Sequence, residues 1–125
     1  MIYTGYFNRL KEYEEAGLTP ICIAGYPPKE INFTGIRFPA LAPKKIWWQE
    51  WHDNHLSHEW YEQKYNETVL NRLSAVETSE KLRSYGEDVI LLCVEKPSEF
   101  CHRHLVSKWF RKHHIASGEY QFERT

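Results

Sequence analysis

The sequence predicts an α/β fold with a small parallel or mostly parallel sheet flanked by helices. Three observations carry this. Two short runs, Ile21-Cys22-Ile23-Ala24 and Val89-Ile90-Leu91-Leu92-Cys93-Val94, are apolar at every position, as strands buried on both faces of a parallel sheet are. Helix-period segments separate them. The order strand, helix, strand, helices, strand, helix supplies the crossovers that parallel strands need.

Residues 2–7 are β-branched or aromatic apart from Gly5 and read as a first strand. Asn8 is placed to cap a helix running to Glu15, with Gly17 ending it. The second strand spans 18–26 and stops at Pro27-Pro28, which cannot donate to a ladder. Residues 29–45 read as a long loop punctuated by Gly35, Pro39 and Pro43. The tryptophan-rich stretch 44–54 reads as a helix, and Trp47-Trp48-Gln49-Glu50-Trp51 reads as core, a rigid wall or the lining of a ligand pocket. A second helix is expected over 57–75, since Tyr61, Tyr65, Val69 and Leu73 recur every fourth residue and Ser57 is a plausible cap. A third covers 77–85 and ends at Gly86. The clearest strand is 88–95. After a loop over 96–100, a helix is expected from Cys101 to His113, with Leu105, Val106, Trp109 and Phe110 on one side. The alternation after Gly118 fits an edge strand or an ordered tail.

The chain has 125 residues, enough for one domain over 1–125 with its own core. Hydrophobic residues make up 42% and charged residues 26%, which argues against global disorder. The apolar runs are far shorter than a membrane span needs, and the N-terminus lacks the basic flank of a signal peptide. With a net charge of −1 and a pI near 6.7, the chain lacks the basic excess of a phosphate-backbone binder, so nucleic acid is not the expected main partner. Three cysteines are too few for a secreted disulfide scaffold. They fit reduced thiols in a cytoplasmic protein, one of which is a candidate for chemistry.

Parallel sheets bind ligands at the carboxyl ends of their strands. Those ends carry Gly5-Tyr6-Phe7, Gly25-Tyr26-Pro27 and Glu95-Lys96-Pro97. The last leads into Cys101-His102-Arg103-His104 at a helix start, where backbone N–H groups lack internal partners and the dipole is positive. An anion can dock there with help from Arg103. The same setting lowers a thiol pKa, which makes Cys101 a nucleophile candidate, His102 its orienting partner and Glu95 a base. Each residue also has a structural reading. Cys93 sits inside an apolar strand and reads as a core thiol. His102 falls between Leu105, Val106 and Trp109 and reads as half-buried and bonded to backbone. Arg103 has carboxylates such as Glu99 to pair with.

Leu91-Leu92-Cys93-Val94-Glu95-Lys96-Pro97 followed by Phe100-Cys101-His102-Arg103-His104-Leu105-Val106 resembles the signature of the family catalogued as domain of unknown function 488. Tyr3-Thr4-Gly5-Tyr6-Phe7 and Ile23-Ala24-Gly25-Tyr26-Pro27-Pro28 are similar to that family's first two strand motifs, and Tyr65-Asn66-Glu67 fits its middle helix. The resemblance implies an α/β fold and a shared pocket around Cys93, Glu95, Cys101, His102 and Arg103. It implies no particular reaction and no cofactor.

The expected ligand is therefore an anionic small molecule, phosphate- or nucleotide-like. Cys101, Glu95 and His102 are the catalytic candidates; Arg103, Cys93, Tyr6, Gly25 and Tyr26 are the binding candidates. Catalysis, plain ligand binding, thiol redox chemistry at Cys93 and Cys101, and an accessory role beside nucleic acid through the basic last helix all stay open at this level. Two metal readings rank below these. His52, His55 and His58 are spaced three apart, but Asn54 and Ser57 interrupt a helix between them. Cys93, Cys101, His102 and His104 are zinc-ligand types, but their spacing is not a paired knuckle and Cys93 is expected to point into the sheet. The basic residues of the last helix, Arg103, Lys108, Arg111 and Lys112, read as a solvated face suited to a helix C-terminus.

Overall fold

The computed structural model describes residues 1–94 and 100–122. Its elements are β1 (Ile2–Tyr6), α1 (Leu10–Glu15), β2 (Thr19–Cys22), β3 (Ile36–Arg37), α2 (Lys45–Asp53), α3 (His58–Thr68), α4 (Ala75–Arg83), β4 (Val89–Cys93), α5 (His102–Lys112) and β5 (Ser117–Glu119). The sheet order is β3-β2-β4-β1-β5, and every pairing is parallel. This is the α/β architecture that the strand patterns predict.

β4 lies between β1 and β2, and all five of its residues are buried. Its side chains alternate between two cores. Val89 and Leu91 join Ile2, Ile21 and Ile23 under α2, α3, α4 and α5. Ile90 and Leu92 join Phe7, Tyr13 and Leu18 on the α1 side. Cys93 continues the odd-numbered register, so its side chain belongs to the α5 face at the carboxyl end of the strand. Cys22 belongs to the α1 face and is the one free cysteine.

Several boundaries differ from the expectations above. The helix expected over 57–75 is two helices. Val69 leaves helical backbone (φ −124°, ψ −72°), a 3₁₀ turn follows over Leu70–Arg72, and Ser74 caps α4 by accepting from the Glu77 N–H at 3.2 Å. The four-residue periodicity therefore continues across a break. Asn8 does not cap a helix; it lies in a 3₁₀ turn, Phe7–Arg9, ahead of α1. The loop expected over 29–45 contains β3, a two-residue strand too short for a period-2 pattern to mark. The predicted break between α2 and α3 is present: Asn54 Nδ2 donates to Glu50 O, and Ser57 Oγ accepts from the Trp60 N–H.

Gly5 marks a close approach. A Cβ there would lie 2.6 Å from the Tyr13 hydroxyl oxygen and 2.8 Å from Ile90 Cδ1. Tyr13 also donates no slack, since its hydroxyl accepts from the Tyr6 N–H at 3.3 Å. Gly5→Ala is expected to lower unfolding free energy by about 1–3 kcal/mol through overpacking. Urea unfolding measures this, and an unchanged midpoint would show that the Tyr13 ring is free to retreat.

Candidate functional site

The carboxyl ends of β2 and β4 open into a cavity of about 400 Å³. Ala24, Gly25 and Tyr26, just after β2, form one side. Cys93 and Val94 form its floor at the end of β4. Lys45, Trp48 and Gln49 of α2 and Tyr61 of α3 form the opposite wall, and Phe100, Cys101 and His102 close it at the start of α5. The walls are largely aromatic, and their rings are locked together. Tyr61 meets Trp51 and Phe100 edge to face with centroids 4.9 and 4.8 Å apart, and His58 stacks on Phe100 at 4.2 Å.

At the floor, Cys93 and Cys101 are joined as a disulfide. The expectation that Cys93 is an inert thiol pointing into the sheet is therefore corrected. It is buried, but its odd-numbered register aims it at α5, where Cys101, eight positions on in sequence, meets it. Cys101 is the N-cap residue of α5, in extended backbone (φ −152°, ψ 148°).

His102 is buried, as its helical position implies. Its Nε2 lies 2.8 Å from the carbonyl oxygen of Ile23. A carbonyl only accepts, so Nε2 carries the proton. Nδ1 is left as an acceptor, 3.6 Å from Cys101 Sγ. Burial lowers the His102 pKa to about 4, against the raising effect of the Ile23 bond and with the charges of Arg103 and His104 assisting. The ring is neutral near pH 7 and ties the start of α5 to the end of β2.

Arg103 is fully buried. Its Nε and Nη2 donate to the two carboxylate oxygens of Glu119 at 3.1 and 3.2 Å, a bidentate pair. Nη1 donates to Cys93 Sγ at 3.2 Å. Glu119 also accepts from Thr4 Oγ1 at 2.7 Å. Arg103 thus stands behind Cys93 and is not among the described residues lining the cavity. Tyr6 is beside it, with the Arg103 guanidinium carbon 5.9 Å from the Tyr6 ring centroid. Of the binding candidates, Gly25, Tyr26 and Cys93 line the cavity; Arg103 and Tyr6 support it from the β1 side. Glu95 lies outside the described residues.

Residue reasoning marked the Trp48 segment as a possible pocket lining without fixing which ring turns inward, and did not mark Lys45 or Glu119. Trp48 and Lys45 reach the cavity because α2 folds over the β2 end, which its composition does not reveal. Glu119 was legible as part of an edge strand. Its pairing with Arg103 follows only from β5 lying parallel to β1 with Thr4 opposite Glu119. Among the described residues, His52, His55 and His58 are not brought together as a group that could hold a metal ion; His52 stacks on Trp48 and His58 on Phe100. Of the basic residues of α5, Lys108, Arg111 and Lys112 are exposed, as a solvated face requires, whereas Arg103 is buried. Lys108 pairs with Glu62, and Arg111 donates to Ser107 Oγ and the Ser117 carbonyl.

The model of the family DUF488-N3a, described as the active DUF488-N3 subclade, matches residues 6–114. The chain belongs to this family. The match takes in both strand ends, the aromatic wall and the whole of α5, so the Cys93/Cys101/His102/Arg103 cluster lies inside it. No curated protein and no solved structure matches the chain. Among the described residues, no helix is long and apolar enough to cross a membrane.

Proposed function

We propose that the chain is an enzyme that uses the Cys101 thiolate on an anion-bearing small molecule with a flat ring, of the nucleotide class. One observation carries this reading: Cys101 caps an eleven-residue helix on the wall of an aromatic cavity, with Arg103 behind the adjoining Cys93. Helix N-termini and nearby cations favour a thiolate. The rings of Trp48, Tyr61 and Phe100 suit a planar group. Lys45 and the positive end of the α5 dipole suit its anion.

Opening the disulfide takes two electrons and two protons from a dithiol, which leaves as its own disulfide. A reducing compartment such as the cytoplasm supplies that reductant. In the open form, neutral His102 orients Cys101 by accepting its S–H at Nδ1. Glu95, two residues after β4 in sequence, is the proposed base. Arg103 acts through its charge at Cys93 rather than by touching the ligand. The description of the matching subclade as active accords with catalysis. A non-catalytic pocket of the same shape is the competing reading.

A melting screen of the reduced chain against nucleotides, nicotinamide dinucleotides and phosphosugars tests this. At a ligand concentration 100-fold above Kd, binding adds about 2.7 kcal/mol to stability, a shift of several degrees for a chain of this size. Trp48→Ala is expected to abolish the shift. Cys101→Ser is expected to keep it and lose turnover. Binding with turnover intact in Cys101→Ser would remove the thiolate from the mechanism. No shift from any phosphate compound would remove the anion pocket.

A further inference from the structure

We propose that the reduced chain binds one divalent cation of the zinc class through Cys93 Sγ, Cys101 Sγ and His102 Nδ1, with the fourth coordination position open to the cavity. The three donor groups lie within 4.8 Å of one another, and all three residues line the cavity. Zinc–sulfur and zinc–nitrogen bonds of about 2.3 and 2.0 Å in a tetrahedron place sulfur and nitrogen about 3.5 Å apart. The Cys101 Sγ to His102 Nδ1 distance is 3.6 Å. The sulfurs, once released from each other, need to stand about 3.8 Å apart by the same geometry.

The surroundings are those of a metal ligand set. Zinc-bound histidines donate their other ring N–H to a carbonyl or carboxylate, which fixes the tautomer. His102 does so to Ile23 O, leaving Nδ1 for the metal. Arg103 donates to Cys93 Sγ, as outer-shell donors do to ligating thiolates. Two thiolates and a neutral imidazole cancel the charge of a divalent ion, so little net charge enters the buried floor. Three protein ligands with an open fourth position is the arrangement of catalytic rather than structural zinc.

A dithiol gives two electrons and two protons to the Cys93–Cys101 disulfide and is itself oxidised to a disulfide. The incoming ion then displaces the two thiol protons to solvent. A small-molecule disulfide that takes two electrons from the thiolate pair and two protons from solvent, and leaves as two thiols, re-forms Cys93–Cys101 and releases the ion. Metal binding does not depend on the nucleotide-class ligand proposed above. While the ion is bound, Cys101 is a ligand and not a free nucleophile.

The full chain, reduced with a dithiol and freed of reductant, is titrated with Zn²⁺ against a chromophoric chelator. One ion per chain is expected in the reduced form and none in the oxidised form of the same sequence. Cys93→Ser and Cys101→Ser are expected to weaken binding by about 100-fold or more, and His102→Ala by at least about 10-fold. Cys22→Ser, on the other face of the sheet, is expected to bind as wild type. Saturating Zn²⁺ is expected to slow alkylation of Cys101 by iodoacetamide at least about 10-fold. Circular dichroism of each metal-free variant checks that it is folded. The proposal is overturned if reduced wild type binds no more tightly than the oxidised chain, or if a folded His102→Ala variant binds as wild type. Either result leaves the ligand screen and its Cys101→Ser arm untouched.

Discussion

Glu119→Ala is expected to lower unfolding free energy by roughly 3–5 kcal/mol, the largest loss of any single substitution at the site. The reason is the residue left behind. Arg103 is wholly buried, while the Glu119 side chain is 18% exposed. Removing the carboxylate strands a guanidinium, which stays charged at any working pH, in a region of low dielectric. Its remaining interactions include the donation to Cys93 Sγ and the Tyr6 ring, both weaker than a bidentate ion pair. Thr4 Oγ1 loses its acceptor as well. Arg103→Met strands the carboxylate instead, and the loss is expected to be smaller because Glu119 reaches water. Replacing both residues by apolar ones of similar volume is expected to recover most of the deficit. Urea unfolding of the two singles and the double yields the coupling energy directly. A Glu119→Ala loss below about 1 kcal/mol would mean that the pair is solvated in the way surface bridges are.

That pair also shows what could be read from the residues and what could not. The all-apolar runs at Ile21–Ala24 and Val89–Val94 sufficed for a parallel sheet, because only strands covered on both faces lack polar positions. The sheet's carboxyl end followed from the fold class, and with it the neighbourhood of Gly25, Tyr26, Cys101 and His102. Local patterns carried no information about which distant groups meet. Arg103 had Glu99 close in sequence, yet its partner is Glu119, brought alongside by the β5–β1 pairing. Cys93 looked like core because every neighbour in β4 is core. Its register decides the matter: counting in twos from Val89 puts it on the α5 face, where Cys101 begins the helix. That count was available from the sequence once the two faces were assigned. The Trp48 wall was not, since nothing in Trp47-Trp48-Gln49-Glu50-Trp51 says which ring turns inward. Trp47 is buried and donates to Thr68 Oγ1, while Trp48 lines the cavity.

The oxidised, metal-free chain is expected to lose about 3 kcal/mol of stability between pH 7 and pH 4 on account of His102 alone. Its imidazole has a pKa of about 4 in the fold against the ordinary 6.5. The unfolded chain therefore takes up a proton as pH falls through 6.5, and the folded chain does not until about pH 4. Across that window the unfolded state binds more protons, so stability falls with falling pH and levels off below it. Burial is the main cause. The cations Arg103 and His104 on α5 oppose protonation too, while the Ile23 carbonyl on the β2 side favours it. From α3, only the Tyr65 ring faces the imidazole among the described contacts, edge to face at 5.6 Å. His104 has its own lowered pKa, again chiefly from burial, and carboxylates titrate at the acid end. Both contributions are common to wild type and His102→Gln, so the difference between their stability–pH curves isolates His102. His102→Gln is expected to be less stable at pH 7, where the Ile23 bond is strained or lost, and to close most of the gap by pH 4. Two parallel curves would mean that the imidazole reaches solvent or a proton-accepting partner in the fold, and the tie between α5 and β2 would then have to come from the packing of Tyr65 and Val106 instead.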